Sequence, residues 1–247
     1  MKRLSLLLAL LLFVLSGCGR AAGMGQPEAA APIATLNATD DRELQQALDY
    51  FAEIAFGSEY GIADKRIRKW TSPIRAAVHG NPTDEDMAAI RCVLEGLNAV
   101  EGFPGITLAD KGQNMDISFV PLDAMNGTVP GYVEGNWGFF TVRYSAGGIR
   151  QASVAIASDV TDQQARNHLL FEEILQSAGL MCDSDSYPES IFYGQWTTVQ
   201  QPAALDWELM HMLYLPRIKT GMGMEEAIGL LKQYFRTMPD ATAILAD

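Results

Sequence analysis

Six side chains able to bind a metal or move a proton fall within residues 168–183. His168, Glu172 and Gln176 recur at every fourth position of a segment with helical apolar spacing. They therefore stand on one helix face, a turn apart. Glu173 lies beside them. Cys182 and Asp183 follow soon after Gly179, which can end a helix and turn the chain back. Imidazole, carboxylate and thiolate are good zinc ligands, whereas an amide is neutral and weak, so Gln176 is the poor member of such a set. Glu172 and Asp183 oppose ionisation of Cys182 unless a metal is present. An oxygen-preferring ion such as Ca²⁺ or Mn²⁺ would use Glu172, Gln176 and Asp183 instead. The expectation is no resident metal, with zinc or another divalent ion as the alternative. Without a metal, Glu172, Glu173 and Gln176 are solvated or hydrogen-bonded to a strand edge.

The order of these residues resembles the metzincin branch of zinc metalloproteases, whose signature H-E-x-x-H-x-x-G-x-x-H/D is followed by a Met-turn. Glu172 stands at the first histidine, Glu173 at the catalytic glutamate and Gln176 at the second histidine. Gly179 matches the glycine, Leu180 the apolar residue after it, and Cys182 the third ligand, with Asp183 beside it. Ser190-Ile191-Phe192-Tyr193 resembles the S-I-M-Y of the Met-turn, with Phe192 in place of Met. Ser190, Phe192 and Tyr193 are its structural equivalents. The resemblance implies an α+β, zincin-like fold: a mixed twisted sheet flanked by helices, with a helical C-terminal part. It implies metal ligands Glu172, Gln176 and Cys182 if a metal is bound, and Glu173 as general base if activity is retained. Otherwise the site is degenerate and inactive, and the domain binds a peptide or protein along the strand edge that such enzymes use for substrates. The alternative is an active metal-dependent peptidase with non-standard ligands. Residues from about 51 to 227 are also similar to a bacterial lipoprotein family known only as a domain of unknown function. Ile67-Arg68-Lys69-Trp70, residues 168–179, the Ser190–Tyr193 block and Gly221-Met222 carry that similarity. It implies fold and location more than chemistry.

The chain opens with Lys2 and Arg3 and an almost unbroken apolar run over 4–15. That run is too short to span about 30 Å of hydrocarbon, but it suits the core of an export signal. Leu15-Ser16-Gly17-Cys18 resembles a bacterial lipobox, which makes Cys18 the lipidation site. Residues 1–17 are thus expected to be a signal peptide. Residues 18–40, rich in Ala, Gly and Pro, form the lipidated Cys18 and a flexible tether, and 41–247 a single domain. The 18 basic side chains less Lys2 and Arg3 leave 16 against 30 acidic ones, a net of −14. Anionic headgroups repel such a body, so membrane attachment rests on the acyl chains. Gly19, rather than Asp, follows the cysteine, which favours the outer membrane, facing the periplasm, in a two-membrane cell. The partners expected are the membrane and an envelope protein or peptide. The same acidity argues against nucleic acid, which needs a basic stripe.

Around this segment the spacing predicts a helix over 41–56, built on Leu44, Ala47, Leu48, Phe51 and Ile54. A strand follows within 65–78, with Arg66, Arg68, Lys69 and Arg75 as its solvated side or, alternatively, a ligand patch. Thr83 and Asp86 form the capping box of a helix running to Leu97. Ile117, Phe119, 139–144 and 149–156 have strand composition, with a hairpin turn over 144–148. A helix over 161–178 is capped by Thr161 and Gln164, and further helices cover 204–213 and 224–235. Helices, then strands, then helices read as α+β. Trp207, Met210, Met212, Leu213 and Tyr214 read as core, with a binding surface as the alternative. Export would permit a Cys92–Cys182 disulfide, which would take Cys182 from any metal; spacing leaves both possibilities open.

Overall fold

The computed structural model describes residues 41–57, 65–145 and 148–237. The expected signal segment, Cys18 and the expected tether lie outside the described residues. The elements are α1 (Asp41–Phe56), β1 (Ile74–His79), α2 (Asp84–Ala99), β2 (Ile106–Leu108), β3 (Met115–Val120), α3 (Met125–Thr128), β4 (Gly138–Ser145), β5 (Gly148–Ala157), α4 (Gln163–Ser177), α5 (Ala204–Tyr214) and α6 (Met224–Thr237). The strands form one mixed sheet in the order β2-β1-β3-β5-β4. β1 runs parallel to β2 and β3, β3 runs parallel to β5, and β4 returns antiparallel to β5 at the edge. The hairpin is in the predicted place, since Ser145 pairs with Gly148.

A five-stranded mixed sheet flanked by helices is therefore correct, but helices and strands are not segregated. The parallel β1–β2 pair needs a crossover, and α2 supplies it. The strand expected within 65–78 begins only at Ile74. Before it the chain makes isolated bridges, Arg66 with Gly223 and Trp70 with Ile149. Lys69 is not on a solvated side. It is buried, its Nζ donates to the Leu213 carbonyl at 2.7 Å, and it lies 5.3 Å from the centre of the Tyr214 ring. Burial, aided by the nearby Lys219, pulls its pKa down to about 8. A lysine at the C-terminal carbonyls of α5 is held by the negative end of the helix dipole. Sequence spacing cannot reveal that.

Every residue of α4 from Leu170 onward is buried, as are the next residues to Leu180. Its N-cap is Asp162, which accepts from Gln164 N, rather than Thr161. One turn in, Arg166 meets Asp86 of α2, which is fully buried. Arg166 Nε donates to Asp86 Oδ1 at 3.1 Å and Nη2 donates to Oδ2. The same carboxylate closes the predicted capping box of α2, accepting from Thr83 N. At the other end of α4, Trp70 Nε1 donates to Ser177 O at 3.0 Å and Tyr214 Oη to Ala178 O at 2.7 Å. Gly179 follows with φ of 129°, and a Cβ there would lie 2.2 Å from the Arg68 carbonyl oxygen. Only glycine allows the 65–70 segment to cross so close beneath the helix end.

The sheet and helices share one core, which takes in Phe51, Trp70, Ile74, Ile117, Val154 and Leu170. The core reading of Trp207, Met210, Met212, Leu213 and Tyr214 holds, since all are buried. Cys92 and Cys182 are free thiols.

Replacing Asp86 by Ala leaves a buried guanidinium without its carboxylate and should lower unfolding stability by about 3–5 kcal/mol. Urea denaturation read by circular dichroism checks this. A loss under about 1 kcal/mol, the range of an exposed pair, would show that the pair does not hold α4.

Candidate functional site

A cleft of about 710 Å³ opens between β4 and α4. One wall is the edge strand, from Gly138 through Phe140 and Val142 to Tyr144; the other is α4, with Leu169, Glu172, Glu173 and Gln176. Asp183 lines the cleft as well, so four of the six chemical residues converge there. The helix approaches the strand closely: a Cβ on Gly138 would lie 2.6 Å from Glu173 Oε1 and 2.9 Å from Leu169 Cδ2.

The donors do not assemble as a zinc set. The Gln176 amide donates to Asp183 Oδ1 at 2.6 Å. The Glu172 carboxylate lies 3.4 Å from His168 Nε2. Cys182 does not line the cleft; its thiol donates to the Asp183 carbonyl, and it packs so closely on Gly57 that a Cβ there would lie 2.5 Å from Sγ. Among the described residues, no group of three His, Cys, Asp or Glu side chains stands ready to hold a metal ion.

Ser190, Phe192 and Tyr193 form a bend held from beneath. Phe192 is fully buried. Ser190 Oγ accepts from Tyr50 Oη of α1 at 2.6 Å and donates to Asp206 Oδ1 of α5 at 2.6 Å. Asp206 Oδ2 accepts from Ile191 N at 2.9 Å and Ala203 N at 2.7 Å. One buried carboxylate therefore ties the bend to the start of α5. Burial pushes its pKa up to about 6 despite those hydrogen bonds. Burial likewise raises the Tyr50 hydroxyl, which stays a donor.

His168, read as a member of the polar face, holds a strap. Its Nδ1 lies 2.7 Å from the Val199 carbonyl while Nε2 faces Glu172. Both ring nitrogens thus face acceptors, and the imidazolium suits both. Burial opposes that charge, but Glu172 and the Val199 carbonyl outweigh it and the pKa is raised. Asn167 Nδ2 donates to Gln200 Oε1 on the same strap. At the strap's tip Trp196 is 70% exposed, and its ring lies 5.8 Å from Trp137, just before β4. Arg66, Arg68 and Tyr144 also line the cleft. The two tryptophans and Tyr144 had no sequence signal, since aromatics at a site and in a core look alike in one sequence. The basic run was visible, but Arg66 and Arg68 precede β1 and line the cleft rather than forming one side of a strand.

The family described as Protein of unknown function (DUF2927) is matched by residues 44–233. No curated protein matches the chain.

His168 and Asp206 both bind protons more tightly folded than unfolded. Each adds stability below its ordinary pKa, 6.5 for His168 and 3.8 for Asp206, and loses it as pH rises through the folded value. The denaturation midpoint should therefore be higher at mildly acidic pH than at about pH 8, and His168→Gln and Asp206→Asn should each flatten that slope. A midpoint that climbs with pH across this range, unchanged by either substitution, would contradict the assignment.

Proposed function

We propose that this chain, which belongs to the DUF2927 family, is a lipid-anchored protein of the bacterial cell envelope whose degenerate zincin-like domain holds an extended peptide in the β4–α4 cleft without cleaving it. The observation that carries the reading is that the cleft's wall is an edge strand. Such a strand offers a row of main-chain donors and acceptors, and a peptide laid along it adds one more strand to the sheet. Alternate side chains of that peptide would face α4.

The zincin-like assignment is supported by the company α4 keeps. A mixed sheet runs beside it, Gly179 turns the chain after it, and Ile191 and Phe192 of the bend lie buried in the same core. The absence of cleavage is argued from the donors. Gln176 is engaged with Asp183, and Cys182 faces Gly57. Glu173, which would be the general base of an active enzyme, packs its side chain against Gly138 of the edge strand. The envelope address rests on the Cys18 motif and on the charge argument, in which the lipid alone holds an acidic body to the bilayer.

Two measurements test the reading. Incubation of the full chain with a mixed library of short peptides, without chelator, should slow amide hydrogen exchange along β4 and yield no cleaved products. Near-stoichiometric zinc together with hydrolysis abolished in Glu173→Ala would replace it with the peptidase, and unchanged exchange along β4 would remove the peptide. For the anchor, the chain expressed in bacteria should fractionate with membranes and incorporate labelled fatty acid, and Cys18→Ala should do neither. A Cys18→Ala chain still acylated and membrane-bound would refute the lipid attachment.

A further inference from the structure

The cleft's two ends differ in chemistry. At the start of β4, Trp137 lines the cleft, and Trp196, outside the cleft lining, packs edge to face on it; they are 42% and 70% exposed. Such a corner presents an open ring face from each side, and covering it removes apolar surface from water. At the far end of the strand the register shifts between Arg143 and Tyr144, which re-aims Tyr144. Its ring carries the Arg68 guanidinium at 4.4 Å. Arg66 stands beside it, its Nη1 donating to Gly221 O at 2.9 Å, and Lys65 completes three cations in four residues of a chain with net charge −12. Both arginines are thus pre-oriented, one by stacking and one by a carbonyl, in a basic run that lines this cleft. Glu172, Glu173 and Asp183 line the stretch between.

Resting on the peptide reading, we propose that the cleft selects an extended peptide bearing a bulky apolar side chain for the Trp137–Trp196 corner and a carboxylate for the Arg66–Arg68 end. The carboxylate is an acidic side chain or the peptide's own C-terminus. From Trp137 to Tyr144 seven residue steps span about 23 Å at most, and the register shift shortens them, which sets the two groups roughly six to seven residues apart. A guanidinium held in place binds a carboxylate with less ordering cost than a mobile one, and an aromatic corner supplies most of an anchor's energy.

Short synthetic peptides on one Thr-Val background test this by calorimetry with the full chain. The set comprises the background alone, a Phe near one end, an Asp about six positions away, and both together, in either chain order. An amidated and a free C-terminus at the Asp end distinguish the two sources of the carboxylate. The doubly marked peptide should bind about tenfold more tightly than either singly marked one. Trp196→Ala should erase the gain from Phe while keeping the gain from Asp, and Arg68→Gln should do the reverse, with Arg66→Gln as a second variant if Arg68→Gln does not fold. Peptides that all bind alike would overturn the end recognition and leave the edge-strand reading standing. Failure of every peptide to bind would overturn both.

Discussion

A carboxylate and a guanidinium buried between two helices decide where the cleft is. Asp86 closes the capping box at the start of its own helix and in the same position receives Arg166. A buried pair of this kind adds little net stability over a well-packed apolar contact, but it strongly penalises any arrangement that separates the partners. Its effect here is positional. It sets the start of α4 against α2, and Arg166 also lies 5.4 Å from the centre of the Phe119 ring, on the sheet. The far end of α4 is set by Trp70, Tyr214 and the Gly179 crossing. A helix pinned at both ends can carry polar groups along a buried length, provided each has a partner. Glu172 and Gln176 have theirs in His168 and Asp183.

From this placement the rest of the site follows. β4 is at the sheet edge because it is joined to β5 by a hairpin and nothing parallel follows it in the order. α4 packs against both strands, so the space beyond the edge becomes a cleft with main chain on one wall and carboxylates on the other. The bend at Ser190–Tyr193 and the strap after it complete the surroundings, one held by Asp206 and the other by His168. Both holding groups are more readily protonated than their free counterparts.

How far the sequence foretold this varies with the physics of each element. Amphipathic α1, the Thr83–Asp86 box and the hairpin were legible because short-range periodicity and capping specify them. The convergence of Glu172, Glu173, Gln176 and Asp183 was legible because helix geometry puts three of them within a turn or so and glycine returns the fourth. The crossover by α2 was missed because parallel pairing leaves no local mark. Lys69 was misplaced because its burial is settled by the end of a helix some 145 positions away. Cys182 belongs to the motif by order, yet its direction depends on packing against Gly57, which no spacing rule contains.

A crystal structure of the chain with an extended peptide bound would test the central claim most directly. The account predicts peptide main chain about 2.9 Å from the main chain of β4 between Gly138 and Tyr144, with an intact peptide bond opposite Glu173. A peptide seated instead along the β2 edge, with the β4–α4 cleft empty, would contradict it.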